Sequence, residues 1–209
     1  EKNFQIEGLA YRLVPYGAQS GQPRVNTEIM YDNLMNKVQW GGLEKEEVWM
    51  DENNLRMAAT MRMQMRTLAM SLIQEGKKEA ALKVLKKCVE VLPEKNVPYY
   101  DPCPISYTYY LVQAFYMADG KEDAIKISKR FFEVLEGDVE YVLSVRKKES
   151  NALQTYLDDR IEMMQQLISD AHRFEADAWA KELESRFKKY ESLAAPAMPE
   201  QPQGMPIQR

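Results

Sequence analysis

RTLAMSLIQEGKKEAALKVLKKCVEVLP, residues Arg66 to Pro93, is the stretch whose reading decides the fold. Starting from Met65 just ahead of it, apolar residues step by three or four: Leu68 and Leu72, then Ala81, Leu85, Cys88 and Leu92 beyond Gly76. That is the period of a helix with one buried face, written twice across a glycine turn and stopped by Pro93. A second stretch, YYLVQAFYMADGKEDAIKISKRFFEVLEG from Tyr109 to Gly137, follows the same plan around Gly120. Its stripes run through Ile105, Tyr109, Val112 and Tyr116, then Ala124, Ile127, Phe131 and Val134. Its turn reads one residue shorter, with Gly120 to Ala124 four apart against five for Gly76 to Ala81. Gly137 stands where the first copy has its proline, and so reads as the end of the helix. Helical hairpins that cannot bury an apolar stripe alone do so by stacking on copies of themselves, and a period near forty residues predicts such an array.

Working outward, the period begins near Asn54 with Leu55, Ala58 and Met61. Asp51 is placed to cap that helix, and the acidic Glu44–Asn54 stretch suits the positive end of its dipole. The same oxygens do not make a calcium loop, which needs alternating ligands, a central glycine and a closing glutamate. A third pair lacks the glycine: Leu157, Ile161, Met164, Ile168 and Ala171 form one stripe, and Ala176, Trp179, Leu183, Phe187 and Tyr190 another. The phase changes around His172-Arg173, which places the turn there. Residues 1–50 do not share the pattern. Phe4, Ile6, Leu9, Tyr11 and Leu13 read as one strand ended by Pro15 and Gly17, followed by a Gly17–Pro23 loop. A short helix capped by Asn26 or Thr27 then carries Met30, Leu34 and Val38 and ends at Trp40-Gly41-Gly42. From Ala194 the chain is proline-rich and reads as a disordered tail; a PxxP ligand for an aromatic groove is the sharper alternative. The expected fold is therefore mainly all-α: an N-terminal strand, loop and short helix over 1–50, about three helical hairpins over 51–193, and the tail over 194–209.

Composition narrows function. A 209-residue chain with 45% hydrophobic and 29% charged residues is built like a soluble globular protein. A net charge of −4 argues against a nucleic-acid partner, which calls for a basic stripe. No apolar run approaches the roughly 18 residues of a membrane span, so no direct membrane insertion is expected. The sequence opens on Glu1 with no basic-then-apolar leader, which reads as a processed protein or an excised fragment. His172 is the single histidine, too few for a zinc site, and it falls in a predicted turn rather than beside a nucleophile; no cofactor fingerprint occurs, and neither metal nor cofactor is expected. Cys88 reads as a small apolar residue on a buried face. A Cys88–Cys103 disulfide around Pro93 and Pro98 is the alternative in an oxidising compartment.

The glycine–alanine–proline pattern of Gly76, Ala81 and Pro93, with Met65, Leu68, Ala69 and Leu72 before it, resembles the tetratricopeptide repeat. The second copy departs at Gln113, where a small residue is usual, and at Gly137; the third departs further. FQIEGLAYRLVPY (Phe4 to Tyr16), RVNTEIMYDNLMNK (Arg24 to Lys37), DENN at Asp51 and EGKKEAALKVLKKCVEVLPEKNVPY (Glu75 to Tyr99) look like the C-terminal soluble region of a bacterial family of multi-pass membrane proteins. The membrane part of that family resembles protein O-mannosyltransferases. The resemblance implies an excised C-terminal portion lying on the periplasmic side of the inner membrane. It carries no catalytic residue onto this chain, because those carboxylates sit in the membrane part.

Independent catalysis is not expected: Asp158-Asp159, adjacent on a helix, diverge by about 100° and read as a solvated face. A binding role has more material. In tetratricopeptide arrays the first helices line a groove. Here that face carries Met63, Arg66 and Met70, then Tyr107, Tyr110, Ala114 and Met117, with side chains enriched at protein contacts. The expected partner is a protein or peptide, or the membrane part of the chain's own full-length protein. The competing readings are a freestanding tetratricopeptide-type adaptor, and a purely structural domain whose face is filled internally.

Overall fold

The computed structural model describes residues 3–15, 23–45, 47–145 and 151–193, and it is mainly helical. The described residues form seven α-helices behind a small three-stranded sheet. Strands β1 (Phe4–Ile6), β2 (Tyr11–Leu13) and β3 (Arg24–Val25) lie in the order β2-β1-β3, β1 antiparallel to β2 and parallel to β3. The single strand expected over 4–13 is thus a hairpin. A bend over residues 8–10 folds the run back, pairing Phe4 with Leu13 and Ile6 with Tyr11. Strict alternation along one strand and the facing residues of a tight hairpin produce the same apolar spacing.

Helix α1 (Thr27–Asp32) is capped by Asn26, whose side chain accepts from the Ile29 amide, and runs on as a wider turn through Lys37. It buries Met30 and Leu34, while Val38 lies just past its end in extended backbone. Two hydrogen bonds fix this unit: Asn33 Nδ2 donates to the Glu7 carbonyl at 2.6 Å, and Thr27 Oγ1 donates to Glu75 Oε1 at 2.8 Å. Helix α2 (Glu52–Gln74) starts at Asp51 as expected, its carboxylate accepting from the Asn53 and Asn54 amides. Those bonds hold the Asp51 carboxyl below its usual range.

Helices α2 and α3 (Lys78–Val91), α4 (Ile105–Met117) and α5 (Lys121–Val145), and α6 (Asn151–Arg173) and α7 (Asp177–Phe187) form three hairpins. Their turns are built alike. In each, the amide two residues past the helix's capping residue reaches back to a carbonyl five residues earlier: Lys77 to Leu72, Gly120 to Phe115, Ala176 to Ala171, each at 2.8 Å. This is the Schellman closure, which needs a left-handed residue just before the donor. That residue is Gly76 (φ 77°), Asp119 (φ 62°) and Glu175 (φ 56°). Two expectations change. The second turn is not one residue shorter, because its counterpart to Gly76 is Asp119, and Asp119 to Ala124 is again five. The third turn lies at Phe174–Ala176, just beyond His172-Arg173. Gly120 instead serves close packing: a Cβ there would sit 2.6 Å from Leu82 Cδ1.

Nor does Gly137 end a helix, since α5 runs through it to Val145. A glycine with no proline behind it weakens a helix without stopping it, and Val139 and Val142 continue the buried stripe. Ala81, Ala124 and Ala180 are fully buried where paired helices approach. One apolar core joins Ile6 and Met30 to the hairpins and ends at Tyr190, in the 3₁₀ turn Lys188–Leu193. Cys88 and Cys103 are free, buried thiols rather than a disulfide, and burial pushes the Cys88 thiol up to about 12. Arg62, 1% exposed, lies in the same interior. Its Nη2 donates to the Leu92 and Val97 carbonyls at 3.0 and 2.6 Å, holding the loop after α3. Asn96 of that loop accepts from the Val48 amide and donates to the Leu43 carbonyl, fastening the segment before α2. The Gly17–Pro23 loop, apart from Pro23, and the tail from Ala194 lie outside the described residues.

Candidate functional site

Helix α2 turns Met65, Leu68, Ala69 and Leu72 inward, which leaves Met63, Arg66 and Met70 half-buried on its flank. On α4 the same logic buries Thr108, Leu111, Val112 and Phe115, leaving Tyr107 and Met117 half-buried and Tyr110 38% exposed. Ala114, expected on this face, is fully buried and belongs to the core. The structure brings two candidates into contact: the Arg66 guanidinium lies 5.2 Å from the centre of the Tyr110 ring. Arg66 has no carboxylate within ion-pair reach among the described residues, and its Nε is buried without a hydrogen-bond partner. Burial lowers the pKa of this guanidinium, and the Tyr110 phenol partly offsets that. Arg66 is thus a partly desolvated cation whose described partner is a tyrosine ring.

The face continues where the sequence reading stopped. Between α4 and α6 lies a groove of about 380 Å³, lined by Tyr109 and Tyr110 on one side and by Asp159, Glu162, Met163 and Gln166 on the other. Tyr109 is 9% exposed and forms the deeper wall. Its hydroxyl accepts from Gln113 Nε2 at 2.7 Å, and the same amide donates to Asp170 Oδ2 at 3.0 Å. Burial first, then the neighbouring Asp170 carboxylate, push the Tyr109 phenol upward. Gln113, where the tetratricopeptide pattern calls for a small residue, thus ties α4 to α6 by hydrogen bonds. At the groove's end Arg160, 5% exposed, bonds Asp101 Oδ2 at 2.7 Å and Asp138 Oδ2 at 3.1 Å and lies 3.3 Å from the Tyr156 ring centre. This cluster joins the loop before α4, the second half of α5, and α6. The α6 residues were within reach of sequence reasoning, since Asp159, Glu162, Met163 and Gln166 share the flank opposite Leu157, Ile161 and Met164. The α6 stripe is legible, but nothing in it says that the opposite flank meets α4, because that pairing is set by packing between hairpins rather than by local pattern.

His172 is exposed and hydrogen-bonds Glu184 at 2.8 Å, which makes it a link between α6 and α7. Asp158 and Asp159 are both exposed, and Asp158 accepts from Gln154 one turn back. Among the described residues, no helix is long and apolar enough to cross a membrane. Trp49, 86% exposed beside Val48, is the most uncovered large apolar side chain described, and it sits in the extended segment that Asn96 fastens. No family model matches this chain, and no curated protein or solved structure matches it either.

Proposed function

We propose that this chain is a non-catalytic, tetratricopeptide-like accessory domain of a membrane glycosyltransferase-like protein. It lies on the periplasmic side of the inner membrane and engages a protein or peptide through the flank of its first helices. The three alike turns, with a buried alanine at the same distance after each, support the tetratricopeptide reading. The long stretches that resemble the soluble region of the O-mannosyltransferase-like membrane proteins support the placement. The observation that carries the binding role is the Arg66–Tyr110 pair: a half-buried guanidinium with no counter-ion described, held against an exposed aromatic ring. Arginine and tyrosine anchors of this kind dominate contact energies at protein interfaces.

The test is Arg66→Ala with Tyr110→Ala in the full-length protein. The pair is worth about 0.5–2 kcal/mol at a half-buried site, so thermal unfolding should shift only modestly. Glycosylation, or binding of the acceptor, should fall markedly. If several kcal/mol of stability disappear, the two residues belong to the core. Unchanged folding with unchanged activity leaves the face idle and favours a purely structural domain. A full-length gene without transmembrane segments ahead of Glu1 would favour the freestanding adaptor instead.

A further inference from the structure

The groove between α4 and α6 adds a chemical preference to that reading and rests on it. Two features of the groove are independent of each other. The first is its aromatic wall: Tyr109 and Tyr110, with ring centres 5.7 Å apart, stand opposite the polarisable Met163. The second is its charge. Asp101 spends its carboxylate on Arg160, but Asp159 and Glu162 have no cation within ion-pair reach among the described residues. Among the described residues Glu162 accepts only the Gln166 amide, at 2.9 Å. The nearest described cation, Arg160, is already shared between Asp101 and Asp138, and neither Arg66 nor Arg173 lines the groove. Arg66, on α2, lies 5.2 Å from the Tyr110 ring centre. Arg173 is 11 to 14 residues further along α6, or about 16–21 Å at 1.5 Å per residue, beyond the roughly 8 Å over which charges act in physiological salt.

We propose that this groove receives the lysine or arginine side chain of an extended basic segment in a partner polypeptide. An ammonium or guanidinium group is drawn to the face of a tyrosine ring, and carboxylates beside the ring supply the counter-charge. Both are present within one groove, on facing helices. A volume of about 380 Å³ is near the lower end of small-ligand pockets, enough for a long side chain and too little for a folded element. The Oε1 of Gln166 remains available at the rim to accept from a backbone amide. An acidic segment would meet Asp159 and Glu162 with like charge, so the groove discriminates by repulsion as well as attraction.

The 209-residue chain with ¹³C-labelled methionine methyls provides the test, because Met163 reports the groove, Met63 and Met70 report the Arg66 flank, and exposed Met57 serves as a remote reference. The probes are the acetylated, amidated peptides Gly-Ser-Arg-Gly-Arg-Ser-Gly and Gly-Ser-Glu-Gly-Glu-Ser-Gly. In about 50 mM salt the arginine peptide should shift Met163 saturably, and raising salt to about 500 mM should weaken it several-fold. Asp159→Asn with Glu162→Gln should weaken it at least about tenfold while the melting curve stays in place, since neither carboxylate carries an ion pair among the described residues. Tyr110→Leu should weaken it as well. The glutamate peptide should leave Met163 still. The proposal is overturned if both peptides move Met163 alike, if the double variant binds as before, or if only Met57 responds. Should the glutamate peptide move Met63 and Met70 while the arginine peptide moves nothing, the cationic preference falls and the first-helix surface stands. If no peptide moves any of these methyls, the cationic preference falls, and the Arg66–Tyr110 variant still decides the surface by itself.

Discussion

A side chain at Gly120 would put its Cβ 2.6 Å from Leu82 Cδ1 and 3.1–3.2 Å from the ring and carbonyl oxygen of Phe115. At Gly76 the same Cβ would meet open space, but φ there is 77°, where L-residues are strained. The two glycines that mark the hairpins in the sequence therefore answer different demands. Gly120→Ala should cost about 1–3 kcal/mol by overpacking, and Gly76→Ala about 1–2 kcal/mol by backbone strain. Adding Leu82→Ala separates them in urea melts: it should recover part of the Gly120→Ala loss and none of the Gly76→Ala loss. Equal non-recovery would mean that Phe115, not Leu82, sets the limit. Residue identity alone does not reveal this difference. Asp119 carries the left-handed φ that a glycine would be assigned, a conformation that Asp adopts more readily than most residues. Arg62 shows the same blindness in another form. Its partners are main-chain carbonyls 30 to 36 residues away, and no side-chain pattern announces them.

At the scale of elements, long periodic helices were legible and short paired strands were not. Helices α2 to α7 each bury a stripe that recurs over three turns or more, so one irregular residue cannot hide the period. Strands β1 and β2 are three residues long, and their identity lies in pairing rather than in local pattern. The candidate surface follows the same rule. Its α2 and α4 residues share a position on the first helices of two alike hairpins, while its α6 half depends on how the third hairpin packs on the second, which no local pattern states. Helix α5 provides the test at this scale. Gly137 is exposed mid-helix, with nothing within 4 Å of an added Cβ and no positive φ. Gly137→Ala should stabilise the protein by about 0.5–1 kcal/mol, seen as a higher urea midpoint with an unchanged slope. A loss of stability would mean that the helix is interrupted there.

Across the molecule, the hairpins are linked to their neighbours by packing and by a few polar ties. Gln113 to Asp170, Lys121 to the Glu175 carbonyl, and the stacked Tyr116 and Phe174 rings join the second hairpin to the third. Trp179, 5% exposed, donates to Ser128 Oγ at 2.8 Å, and Arg186 lies 5.0 Å from the Phe132 ring centre while pairing with Glu136. The first hairpin meets the third hardly at all; it packs on the second. Stability in a repeat array is a sum of unit and nearest-neighbour terms, so if the proposed repeat reading holds, damage should spread one hairpin and fade. Trp179→Ala removes a large buried side chain and leaves the Ser128 hydroxyl without its donor, a loss of about 3–5 kcal/mol. Amide hydrogen exchange should then show reduced protection in α6, α7 and α5, which bury the indole and its partners. Helices α2 and α3 should keep protection close to that of the unaltered protein. A uniform drop in all six helices would show one all-or-none unit, and the hairpins would then be parts of a single core rather than stacked copies.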